Sequence, residues 1–202
     1  MVREPHYRRA MNAPSRFLTP DADRSVRDAL VFNLRLGDAH QTFLDSVADF
    51  PVDAINVRPA NVEYTFWHLV EHVRFCQADM LEYLANGDYE AVTFPDDYWP
   101  GRDVMANEQQ WQETIAAYSA DVDRVEAFIS DAGRDIYTPS PHAWEQHHSP
   151  LHTVLVMADH ASYHAGEIGI LRQVMGLWAP ERIDHFTVGA IVTQNLTEPA
   201  TD

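Results

Sequence analysis

The sequence predicts an all-α protein: an antiparallel four-helix bundle with long connections between its helices. Three observations lead there. Apolar residues recur at spacings of three and four in four separate segments of about 25 residues, each about 37 Å long as a helix. Helix-start and helix-stop residues bracket those segments. A chain of 202 residues with 46% hydrophobic content also suits a single core.

The first segment runs from about Asp21 to Ala48. Thr19 is a natural N-cap, Pro20 fits the first helical position, and Asp21 and Asp23 favour the positive end of the helix dipole. Val26, Leu30, Asn33, Gly37, His40, Leu44 and Val47 follow helical spacing. "FPVDAINVRPA" breaks the chain, and a second helix is expected from about Val62 to Ala85. Its apolar face is Phe66, Leu69, Val73, Cys76, Met80 and Leu84, and Asn86-Gly87 ends it. After the turn-rich "GDYEAVTFPDDYWPGRD", a third helix begins near Asn107 and carries Trp111, Ile115, Tyr118, Val122, Val125 and Ile129. "DAGRDIYTPSPHAWEQHH" connects it to a fourth, opened by Ser149-Pro150 and running to about Val174. The expected organisation is a disordered arm over 1–18, a bundle over 19–178 and a tail over 179–202.

Composition narrows the function classes. A net charge of −17, from 31 acidic and 14 basic residues, excludes the basic surface that nucleic acid requires and disfavours an anionic membrane. Every basic residue is arginine. The single cysteine, Cys76, excludes an internal disulfide. No apolar run is long enough to span a membrane, and the first residues lack the apolar stretch of a signal peptide, so the expectation is a cytoplasmic protein.

Histidine spacing carries the chemical signal. With 11 histidines in 202 residues, chance gives fewer than one HxxxH pair, and this chain has three: His68/His72, His148/His152 and His160/His164. Residues four apart on a helix differ by about 40° in direction, so each pair shares a face. Met157, Ile168 and Leu171 place His160 and His164 inward, and Leu69 and Val73 do the same for His68 and His72. Two imidazoles from one helix and one from a neighbour suit a divalent transition metal, and three protein ligands leave coordination positions open. The competing reading is a set of core histidines, each satisfied by a hydrogen bond. His148 and His152 belong with His142 and His147 to a cluster around a helix start, and read as surface groups.

Three stretches resemble the DinB/YfiT-like superfamily of metal-dependent four-helix bundles: "YTFWHLVEHVRFCQADML", "PDDYWP" and "SPLHTVLVMADHASYHAGEIGILRQVMGLW". The likeness covers about Asp23 to Trp178. It implies one divalent metal (zinc, nickel or iron) held by three histidines, which by position are His72, His160 and His164. His68 falls where relatives often carry glutamine, and is expected to line the site or serve as an alternative ligand. Relatives commonly read HxGQ after the last ligand, whereas this chain has Glu167, a candidate to orient a ligand, close the site or move protons. With His68 it forms the expected catalytic pair. The resemblance further implies a small-molecule substrate, with either hydrolysis or transfer of a low-molecular-weight thiol, and a homodimer for which the tail segment "FTVGAIV" is a candidate interface. The alternative is a non-catalytic metal-binding or stress-related dimeric bundle. His40 is expected to line the pocket or to bond a carbonyl. Cys76 reads as a small core residue before a fourth ligand, Asp79 as an outer support or an exposed acid, and Tyr98 and Trp99 as a cap or a loop anchor.

Overall fold

A computed structural model describes residues 18–37, 39–140 and 148–183, which are helical with no strand among them. Four long helices make the bundle: α1 (Pro20–Leu36), α3 (Phe66–Ala85), α4 (Glu108–Ser130) and α5 (Pro150–Val174). Two short ones, α2 (Phe43–Val47) and α6 (Pro180–Ile183), sit beside them. The expected arm (apart from Leu18), "FTVGAIV" and the His142/His147 cluster lie outside the described residues. No helix among those described is long and apolar enough to cross a membrane.

Local chemistry sets each start. The Ala22 N–H donates to Thr19 Oγ1 at 3.2 Å, and Ser149 Oγ accepts from His152 N–H at the head of α5. Asn107 and Gln110 form a reciprocal capping box on α4. These three caps lie where the sequence places them. The first helix differs. Helical spacing runs through Gly37, yet α1 stops there with Gly37 at φ +64°, its N–H donating to the Asn33 carbonyl. A Cβ at this position would lie 2.7 Å from the His40 carbonyl oxygen. The chain turns and restarts at Thr42, whose capping box with Asp45 opens α2. Helix α3 likewise begins four residues later than expected, at Phe66. There Thr65 and His68 form the box, with His68 N–H donating to Thr65 Oγ1 and Thr65 N–H to His68 Nδ1.

Each long helix packs on two others: α3 on α4 and α5, and α1 on α4 and α5. Side-chain pairings give the directions. Arg27 reaches Ile129 O, at the end of α4, while Arg35 reaches Asp123 and Glu126, so α1 and α4 are antiparallel. Tyr64 meets Glu167 and His72 meets His160, so α3 and α5 are antiparallel. Glu71 pairs with Thr114 and Glu82 with Arg124, which makes α3 and α4 parallel. Leu30 clusters with Val154 and Met157, and His40 meets Ser162, so α1 and α5 are parallel too. The all-α bundle expected from sequence therefore forms, with the antiparallel arrangement in two of its four neighbouring pairs. The long 86–107 connection lets α4 start at the same end as α3.

The core has an aromatic half around Phe43, Phe50, Phe66, Trp67, Trp111 and Tyr118, and an aliphatic half around Leu30, Leu81, Val125, Ile129 and Met157. A buried arginine serves each. Arg27 donates to Ile129 O, Asp131 O and Arg134 O, and so finishes the end of α4. Arg172, fully buried, donates to Ser46 O, Ala48 O, Asp49 O and Leu177 O, with its guanidinium 3.7 Å from the Trp178 ring centroid.

The turn at Gly37 supplies a stability prediction. Gly37→Ala should destabilise the fold by about 1–3 kcal/mol, because it adds a left-handed strain to a clash with backbone. Urea denaturation of the two proteins measures it, and an unchanged midpoint would contradict the account.

Candidate metal centre

Antiparallel packing of α3 on α5 brings one histidine of the first against two of the second. The His72 ring centroid lies 5.2 Å from that of His160 and 5.1 Å from that of His164, each nearly perpendicular. His160 and His164, one turn apart on α5, have centroids 4.6 Å apart and Nε2 atoms 3.2 Å apart. The backs of two rings are held. His72 Nδ1–H donates to the Tyr98 carbonyl at 2.8 Å, and His164 Nδ1–H donates to Glu167 Oε2 at 2.7 Å. Hydrogen-bond logic then leaves Nε2 as the nitrogen that carries the lone pair in His72 and in His164.

Burial keeps these rings neutral. It lowers the pKa of His72, and together with the neighbouring imidazoles it brings His160 down to about 4 and His164 to about 3. Burial also raises the pKa of Glu167. Both partners of the His164–Glu167 contact thus shift toward their uncharged forms, so the contact is a hydrogen bond from a neutral imidazole and not an ion pair.

A wall of aromatics closes one side. Trp99 stacks on His72 at 3.9 Å and 6°, and Tyr64 packs on Trp99 at 5.3 Å. The Tyr64 hydroxyl donates to Glu167 Oε1, so this carboxylate receives a proton donor on each oxygen. Asp79 accepts from both Tyr89 and Tyr98 hydroxyls, which pins the loop that delivers Tyr98 and Trp99. Asp79 is therefore an outer support, and Tyr98 contributes through its backbone. Tyr64, the first residue of the stretch "YTFWHLVEHVRFCQADML", was not expected at the site. It lies just before the Thr65 cap, two residues ahead of Phe66, so helical spacing gave no sign that it meets α5.

Cys76 is buried, as a core residue should be, but its thiol joins the cluster. Its Sγ lies 3.6 and 3.8 Å from the two ring nitrogens of His72, and His72, Cys76 and His160 each offer a ligand atom within 4.8 Å of the others. His68 is not brought in. Its Nδ1 accepts the Thr65 N–H in the capping box and its Nε2–H donates to Val104 O at 2.7 Å, so no lone pair remains to bind a metal or take a proton. His40 bonds the Gln41 carbonyl and Ser162, on another side of α5. His148 and His152 stack on each other at the start of that helix.

The donor set fits a transition metal. Neighbouring nitrogens on a tetrahedral ion with bonds of about 2.0 Å stand about 3.3 Å apart, and the two Nε2 atoms of α5 are already 3.2 Å apart. Two neutral rings oriented from behind by a carbonyl and a carboxylate match the support that metal-binding histidines receive. The His72–Cys76–His160 group could hold an ion.

Comparison with known proteins agrees with this reading of the fold. The model of the DinB superfamily matches residues 35–168. No curated protein matches the chain, and no solved structure does.

Burial and the nearby Asp79 push the Cys76 thiol up to about 12 from an ordinary 9.0. In the metal-free protein its thiolate fraction at neutral pH should be about a thousandfold below that of a free cysteine. Reaction with a thiol-exchange dye should accordingly be slow in buffer and fast in urea. Rapid labelling of the folded protein would contradict the burial.

Proposed function

The chain belongs to the DinB superfamily, and from that premise we propose that it is a metal-dependent enzyme acting on a small molecule, with His72, His160 and His164 holding one divalent transition metal. The observation that carries this reading is the pair of Nε2 atoms 3.2 Å apart, facing His72 in a buried cluster. His164 Nε2 is left as an acceptor there, and either the His160 Nε2–H or a cation would meet its lone pair. Zinc, nickel or iron suits three neutral imidazoles. Bound there, the metal would supply a Lewis acid that lowers the pKa of a water or of a low-molecular-weight thiol, the first leading to hydrolysis and the second to thiol transfer.

The chain's own groups do the rest. Tyr98 O and Glu167 fix the tautomers of His72 and His164. Glu167 also links His164 to the Tyr64 hydroxyl, a path along which a proton passes between the cluster and the half-buried rim. Its raised pKa moves it toward the range in which a carboxylate works as a general base near neutrality. Trp99 and Tyr64 keep water from one face of His72. The net charge of −17 supports a small-molecule substrate over a nucleic acid. A cytoplasmic homodimer completes the proposal. Leu155, Val156, Tyr163, Ile170 and Val174 on the exposed side of α5 support the dimer.

Cys76 favours a second reading. As a fourth ligand it would close the site, and a closed site is structural. Cobalt substitution separates the two readings: a thiolate-to-cobalt band lost in Cys76→Ser marks the closed site, and its absence with an exchangeable azide marks the open one.

Metal analysis by mass spectrometry tests the central claim. The untagged protein should carry about one metal per chain, and His160→Ala should carry none. Glu167→Ala should weaken affinity by about 10–100-fold, measured by chelator competition, because it removes the acceptor that orients His164. Protein that stays metal-free after incubation with zinc, nickel and iron would end the enzyme reading.

A further inference from the structure

Helix α5 carries a second group of reactive side chains on its other side. Two residues from either His160 or His164 is about 160° around a helix, and that is where Ser162 lies. Its hydroxyl is 3.0 Å from His40 Nε2. His40 comes from the turn after α1, 122 residues away in sequence, and its Nδ1–H donates to the Gln41 carbonyl at 2.8 Å. That bond leaves Nε2 as the acceptor facing Ser162. Gly37 makes the arrangement possible, since a Cβ there would stand 3.0 Å from the His40 ring.

These two residues border a cavity of about 110 Å³ between α1, α4 and α5, with Phe43, Leu44, Val122 and Ala161 among its apolar walls. Tyr118 lines the same cavity. It is only 3% exposed, and it brings a hydroxyl donor to the lining. A phenol hydroxyl at the cavity can donate to an acceptor on a ligand there. Ser162 Oγ also lies 2.6 Å from Ala158 O. That carbonyl already accepts the Ser162 N–H in the helix ladder, so turning the hydroxyl proton to His40 leaves nothing unsatisfied.

We propose that Ser162, His40 and Tyr118 form a nucleophilic site for small acyl esters, separate from the histidine cluster. The parts are a nucleophile hydrogen-bonded to a base, a base oriented by a carbonyl, and a hydroxyl donor lining a cavity with apolar walls on one side. An acyl ester enters with its acyl chain in the cavity. Ser162 Oγ bonds to the carbonyl carbon while its proton passes to His40 Nε2, and the carbonyl oxygen, now negative, accepts from Tyr118. The ester C–O bond then breaks, and the leaving alkoxide takes the proton from His40. Water releases the acyl group by the same route in reverse. A cavity of about 150 Å³ holds a benzene, so this one admits chains from acetyl to about butyryl.

The test uses the full chain with p-nitrophenyl acetate, followed by stopped-flow absorbance and peptide mass spectrometry. A burst of about one nitrophenolate per chain and an acetyl group on Ser162 are expected. Ser162→Ala should abolish both. His40→Gln and Tyr118→Phe should each slow acylation about a hundredfold, with circular dichroism confirming that each variant is folded. Acylation should persist after chelator treatment. The proposal is overturned by the absence of an adduct on Ser162, by equal rates in folded His40→Gln, or by loss of acylation on chelation, which would assign the reaction to the histidine cluster.

Discussion

A buried imidazole has two nitrogens to satisfy, and in this bundle the packing of α3 against α5 decides how each is used. His68 and His72 lie one turn apart on α3, and both are buried. Both also bond a carbonyl of the long connection between α3 and α4: His68 to Val104 O, His72 to Tyr98 O. They differ at the other nitrogen. His68 sits in the first turn, where free backbone N–H groups need acceptors, and Thr65 N–H takes its Nδ1. His72 lies beyond that turn, so no backbone N–H claims its second nitrogen, and its ring packs against His160 and His164. Helix position alone separates a capping histidine from a candidate ligand.

The same connection explains why the bundle is not alternating. To bring α4 back parallel to α3, the chain crosses the length of α3 between residues 86 and 107. On the way it is tied down at Asp79 through Tyr89 and Tyr98, then at His72 and His68. The crossing lays Trp99 flat on His72. A short hairpin between antiparallel helices would have left that ring open to water. The topology and the wall of the site are one feature.

Caps and apolar periodicity made most of the fold legible in the sequence. Thr19, Asn107 and Ser149 mark helix starts because a side-chain oxygen there has a clear job. The misreadings also have physical causes. Gly37 falls on the helical stripe of α1, and spacing does not show that its backbone turns left-handed. The box that opens α3 uses histidine where glutamate or glutamine is usual, so Phe66 gave no start signal. Helix directions depend on which faces meet across α3 and α4, which no single helix records. At the cluster, the HxxxH spacing located His160 and His164, while Tyr64, Trp99 and Cys76 depend on the loop path and on which side of α3 meets α5. Glu167 was visible from its helical phase three residues past His164.

Helix α5 is the element on which these arguments converge. It is apolar through most of its length, and its polar residues occupy two opposed faces. His160, His164 and Glu167 look toward α3, while Ser162 looks toward the turn after α1. Polar side chains on both sides of an apolar helix are tolerated only where each finds a partner. Here the partners include other polar side chains, Tyr64 on Glu167 and His40 on Ser162, beside the Ala158 carbonyl that also lies against the Ser162 hydroxyl. Side chains matched to side chains across a core must hold their rotamers together, and a core built for stability alone has no need of that. The bundle is stabilised by its aromatic and aliphatic halves and by the two buried arginines. The paired polar faces of α5 add little to that, which is the physical ground for reading them as sites.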